Sequence, residues 1–163
     1  MPRTTKKAQR TKPSDYFLDI AAWPTEWMGV DEDLEIGRGL LEFFIPFIQH
    51  LIDEGYAKKT IDSHGSNLNI LGREIIERLN EADEDKRKLS LRELILHYVD
   101  EEGGPFLSFW NPNDITEYRY LMAYDATCRK FLKFMTRENA GTSTVRGSAP
   151  QPRGYLYKNM KVQ

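Results

Sequence analysis

Three histidines, one cysteine and a lysine-rich turn are the residues of this chain with chemistry to offer. An imidazole can move protons near neutral pH or hold a metal through a nitrogen lone pair. Metal binding also needs further ligands at set spacing. No HExxH, CxxC or Glu-x-x-His pattern surrounds His50, His64 or His97, so no metal site is expected. His64 falls on the packing stripe of a helix and reads as a satisfied core histidine. Cys128 has no histidine nearby in sequence and lies on an apolar helix face. It reads as a small hydrophobe, not a nucleophile. Gly37-x-Gly39 follows no strand, so a nucleotide loop fails on context. Asp83-Glu84-Asp85 lacks the alternation of a calcium loop and reads as solvated linker. The expectation is therefore no catalytic residue, no metal, no cofactor and no enzyme. What remains is cationic: Lys58-Lys59-Thr60, just after the turn at Gly55.

Charge is segregated along the chain. The net charge of −2 combines two basic ends with an acidic body. Residues 1–15 carry five basic residues against one acidic, a net of +4. Residues 137–163 repeat that balance. Residues 16–136 hold 13 basic and 23 acidic residues, a net of −10. Basic arms commonly touch nucleic acid or another polyanion, or merely keep a chain soluble. The single cysteine excludes an internal disulfide framework and fits a reducing compartment. The basic N-terminus has no apolar stretch behind it, so it is not a secretory signal. The longest apolar run, LLEFFIPFI, is too short and too interrupted to span a bilayer. A cytoplasmic protein with no membrane association is expected.

These residues must be positioned by helices. Residues 1–14 have no hydrophobic period and two prolines, which predicts a disordered basic arm over 1–15. YFLDIAAWPTEWMGV predicts a short helix and an aromatic loop. Its Trp23 and Trp27 read as packed on the core, with a partner-docking patch as the alternative.

Helix A is predicted from Asp31–Asp33 to Gly55, with Leu34, Leu41, Phe44, Ile45, Ile48, Leu51 and Ile52 on its buried face and a kink or break at Pro46. Helix B starts at Lys58 or Thr60 and ends at Asn80. Its stripe is Ile61, His64, Leu68, Leu71, Ile75 and Leu79. Gly65 and Gly72 lie seven apart beside that stripe and predict close approach of another helix. Ser90-x-x-Glu93 predicts a capping box for helix C. Helix D is predicted from Asn113 or Asp114, with Ile115, Tyr118, Met122, Asp125, Cys128, Leu132 and Met135 facing inward. From residue 139 the chain is low-complexity and basic. The fold class is all-α: a single bundle of four main helices over residues 16–138, with disordered basic tails.

The stretch FFIPFIQHLIDEGYAKKTIDSHGSNLNIL joins an apolar helix, a glycine turn, Lys-Thr-Ile and a second helix with leucines at 68 and 71. It resembles the N-terminal core-binding domain of the tyrosine recombinases, the phage-integrase family. YRYLMAYDATCRKFLKFM is similar to that domain's last helix, which closes a four-helix bundle. The likeness covers residues 34–136 in architecture and 55–71 in detail. It implies half of a clamp around DNA, with Lys58, Lys59 and Thr60 as the phosphate-contacting turn and Lys130 and Lys133 flanking the same face. Arg73, Arg129 and Arg137 complete the DNA-binding residues expected on this basis. The family's catalytic domain, with its arginines, His-x-x-Arg and tyrosine, has no counterpart. His64-Gly-Ser-Asn67 is not that motif, and Tyr155 and Tyr157 lack an arginine setting. Two functions follow: a non-catalytic DNA-binding module, or a helical interaction protein. The latter would use its acidic body, or the aromatic loops at Trp23/Trp27 and Phe106/Phe109/Trp110, to dock a protein partner.

Overall fold

The computed structural model describes residues 11–107, 111 and 113–138, and every named element among them is helical. In chain order these are α1 (Pro13–Tyr16), a 3-10 turn (Ile20–Ala22), α2 (Trp23–Trp27), α3 (Asp33–Asp53) and α4 (Lys58–Glu81). A second 3-10 turn (Glu84–Lys88), α5 (Leu91–Tyr98) and α6 (Ile115–Glu138) follow. No helix among the described residues is long and apolar enough to cross a membrane.

The ends of these helices are set locally. Gly55 sits at φ +77° after α3, the left-handed conformation that lets a chain leave a helix without a Cβ penalty. Ser90 Oγ accepts from the Glu93 amide while the Glu93 carboxylate accepts from the Ser90 amide, so the capping box at α5 is formed. Asp114 Oδ1 takes the Thr116 amide at 2.8 Å at the start of α6. Glu117 reaches back to the amide of Asn111, not to that of the capping residue. α3 continues through Pro46, which lies exposed on its outer side. An outward proline loses one backbone hydrogen bond without driving its ring into the core, so the helix is not divided there.

Two sequence expectations are corrected, and a third is given its partner. The disordered arm ends sooner: residues 13–16 form α1, with Pro13 pre-set for a first helical turn. The Asp15 carboxylate accepts from the Lys12 amide, and the Thr11 carbonyl accepts from Gln49 of α3. The remainder of that arm, the tail from 139 onward, Phe109 and Trp110 lie outside the described residues.

The close approach expected at Gly72 is made by helix α2 through the ring of Trp27, and the notch at Gly65 is filled by Phe17 at the end of α1. A Cβ on Gly65 would meet Phe17 Cζ at 2.0 Å, and one on Gly72 would meet Trp27 Cη2 at 2.4 Å. Trp23 and Trp27 are both buried, so the packed reading of these tryptophans holds and no docking patch exists there. The inner face of α6 is also shifted. Leu121, Tyr124, Cys128, Phe131 and Met135 are buried, whereas Ile115 is 72% and Met122 44% exposed. The periodic pattern continues through the first turns of α6, but no other element among the described residues covers it there.

α3 and α6 meet through rings. Phe44 and Phe131 stand 5.3 Å apart edge to face, Phe47 and Phe131 5.5 Å, and Phe47 and Phe134 5.6 Å. Edge-to-face and tilted pairs of this kind add to the burial of their area.

The charged linker between α4 and α5 has structural duties that its composition hides. Asp33 is completely buried at the start of α3. Its Oδ2 accepts from the Gly29 and Val30 amides and from Asn80 Nδ2, and its Oδ1 pairs with Arg87 Nη2 at 2.8 Å. Asp83 accepts the Tyr98 hydroxyl proton at 2.7 Å. Burial, then this bond to a carboxylate, holds the Tyr98 phenol well above its ordinary range.

Candidate functional site

α6 presents Lys130, Lys133 and Arg137 at positions i, i+3 and i+7. That spacing puts all three on one side of a helix. Phe134 lies among them. Opposite stands the C-terminal end of α3, with Phe47 and His50, followed by its capping residue Glu54 and Tyr56 of the α3–α4 turn. Between these two walls is a recess of about 320 Å³.

The recess is held by specific contacts. Lys130 Nζ donates to Tyr56 Oη at 2.8 Å and lies 4.8 Å from the centre of the tyrosine ring. A cation over an aromatic face is attracted by the ring quadrupole, so the ammonium is fixed toward the turn. The His50 ring lies 5.1 Å from Phe134 at 33°. Three cations and a histidine therefore share the recess with one carboxylate, Glu54. In a body with a net charge of −10, this is a local concentration of positive potential interleaved with aromatic surface.

The expected DNA-binding residues divide by position. Lys130, Lys133 and Arg137 line the recess. Lys58 and Lys59 are exposed on the first turn of α4, two and three residues after Tyr56, so the turn adjoins the recess. Lys58 is paired with Asp62 at 2.7 Å. Thr60 is half-buried, its amide bonded to the Ala57 carbonyl. Arg73 is exposed roughly 15 residues further along α4, about 22 Å from Lys58 at 1.5 Å per residue. The Arg129 side chain turns to the Glu102 carbonyl at 3.3 Å. Neither arginine joins the recess. His50, Glu54, Tyr56 and Phe134 do, although no sequence pattern singled them out. The cation spacing on α6 was readable. The opposite wall was not, because it depends on the register of α3 against α6.

His64 borders this region from behind. Its Nδ1 lies 2.8 Å from Thr127 Oγ1, which also accepts from Asn67 Nδ2 at 2.9 Å and lies 3.2 Å from the Ala123 carbonyl. Burial, then the positive charge of Lys130, lowers its pKa below the ordinary value. The unfolded chain therefore binds more protons at this position than the folded one as pH drops below about 6.5. Stability from His64 is complete above that pH and declines as pH falls through the range below it. Urea unfolding at pH 7.5 and pH 5 is expected to show lower stability at pH 5. His64→Gln should reduce this pH dependence, and an unchanged dependence would refute the assignment.

Among the described residues no three His, Cys, Asp or Glu side chains are grouped to hold a metal. Comparisons with protein families, with curated proteins and with solved structures found no significant match.

Proposed function

We propose that the chain is a non-catalytic DNA-binding module of the kind its likeness to the recombinase core-binding domain implies. In this reading α3, α4, α5 and α6 are the four main helices of a bundle. The α3–α4 turn and the cation row of α6 lie against the phosphate backbone, assisted by the basic ends. The observation that carries it is the gathering of Lys130, Lys133 and Arg137 in one recess beside the turn that leads to Lys58 and Lys59.

A second feature supports it. α4 is preceded by Ala57, which offers no side-chain cap, and its first turn has no acidic residue but two lysines. The N-terminus of a helix is already its positive end. Adding Lys58 and Lys59 there opposes helix stability, and an approaching phosphate relieves that repulsion.

Phosphate contacts neutralise backbone charge and release counterions, so they appear in the salt dependence of binding. Mobility shift of duplex DNA at several salt concentrations tests the reading. Lys130→Ala, Lys133→Ala and Arg137→Ala together are expected to weaken binding at least tenfold at low salt. They should reduce the log–log salt slope by about one unit per cation removed. Lys58→Ala with Lys59→Ala should act in the same direction, and Arg73→Ala should change little. Unchanged affinity and slope in the triple variant would remove this reading.

The alternative is a helical protein–protein interaction module. The buried Trp23 and Trp27 no longer serve it, but Ile115 and Met122, seven apart on α6, form an exposed apolar strip. Capture of a protein partner from the native host that is lost on Ile115→Asp, with no DNA retained, would favour this alternative.

A further inference from the structure

We infer that the recess between α3 and α6 takes an unpaired nucleotide, so that the ligand favoured at this site is a single strand rather than a duplex. The inference rests on the nucleic-acid reading above and goes beyond it.

Shape is the first argument. A duplex turns its phosphates outward and stacks its bases inside, so a protein that holds only its backbone needs projecting cations. Here the cations line one wall of a hollow. Lys130 is drawn inward onto Tyr56 by a 2.8 Å hydrogen bond, and the aromatic groups form walls of the same hollow. At about 320 Å³ it lies at the lower end of the ~300–1,000 Å³ range of small-molecule pockets. That is room for one base with its phosphate.

Chemistry is the second argument. Single-strand binders combine a positive groove for the backbone with aromatic faces for the bases. Lys133 and Arg137 supply the former. Phe134 and His50, 5.1 Å apart, supply aromatic surface beside them. Glu54 is a misfit for phosphate alone, because its carboxylate repels an anion. It suits a base that carries an amino group, since carboxylates accept hydrogen bonds from the exocyclic amine of cytosine. The phosphate would pair with Lys133 and Arg137 while the base amine reaches Glu54. Thymine has no such amine, so cytosine is preferred over thymine.

Fluorescence anisotropy at low salt tests this with the full chain. The probes are ten-nucleotide dC and dT strands and a mixed-sequence duplex of the same length. The dC strand is expected to bind at least tenfold more tightly than the duplex and several-fold more tightly than dT. Phe134→Leu should cost the single strands about tenfold and leave the duplex unchanged. His50→Ala, which removes less of the core, should act the same way if Phe134→Leu lowers helicity. Glu54→Gln should change the ratio of dC to dT binding. Equal or tighter duplex binding, lost in the Lys130/Lys133/Arg137 triple variant, would overturn the single-strand inference and leave the DNA reading standing. Single-strand binding that ignores Phe134, His50 and the three cations would place it on the basic ends and overturn the inference. Binding of neither ligand would sink both.

Discussion

Asp33→Ala is expected to lower the unfolding free energy by about 3–5 kcal/mol, the range for removing one partner of a buried ion pair. The deleted carboxylate would leave four donors behind: two backbone amides, Asn80 Nδ2 and Arg87 Nη2. Arg87 Nη2 would keep only its bond to Asn80 Oδ1, and its Nη1 is buried without a hydrogen-bond partner among the described residues. The same carboxylate predicts an acid limb. Burial raises its pKa, but the bonds from Asn80, Val30, Gly29 and Arg87 outweigh burial and bring it down to about 2. A depressed carboxylate stabilises the fold above its unfolded value near 4, and that contribution is lost as pH falls toward 2. At 1.36 kcal/mol per unit the contribution is about 2 kcal/mol. Urea titrations at pH 6 and pH 3 check both claims. Stability of Asp33→Ala within 1 kcal/mol of the parent would refute the assignment.

Trp27→Ala is expected to cost a similar amount, about 3–5 kcal/mol for truncating a fully packed tryptophan. It also removes the bond from Trp27 Nε1 to Asn69 Oδ1 at 2.7 Å. The more discriminating experiment couples it to Gly72. Alone, Gly72→Ala drives a methyl into the indole, with atoms 2.4 Å from the new Cβ. Overpacking of this kind costs about 1–3 kcal/mol. Helix propensity alone would favour the same change by about 1 kcal/mol. In the Trp27→Ala background the obstacle is gone, so Gly72→Ala should become neutral or stabilising. A double-mutant cycle by chemical denaturation reads this change of sign directly. Additive effects would mean that the ring and the glycine are not partners.

These two sites show why some of the molecule was readable from residues alone. The α4 stripe, the turn at Gly55 and the Ser90–Glu93 box depend on neighbours three or four positions away. Their logic is printed in the order of residues. Asp33 depends on Asn80 and Arg87, 47 and 54 positions distant, and the linker that supplies Arg87 looked merely charged. Gly72 announced a close approach but not what approaches. Spacing cannot tell a ring from a backbone. The recess was half legible for the same reason: its cations share one helix face, whereas His50, Glu54 and Tyr56 reach it only through tertiary register. α6 misled because an apolar period persists at Ile115 and Met122, which are exposed.

The rings of Phe17 and Trp27 fill hollows in a helix far along the chain. Ile20, Trp23, Pro24 and Trp27 are buried and Phe17 packs against the core, so this segment supplies part of the interior. Detaching them would open two slots along α4 to water and strip the cover from Gly37, whose Cβ position meets Pro24 at 3.0 Å. Loss of the first thirty residues would act as a global event: the long helices could not keep their present spacing without that inserted wedge.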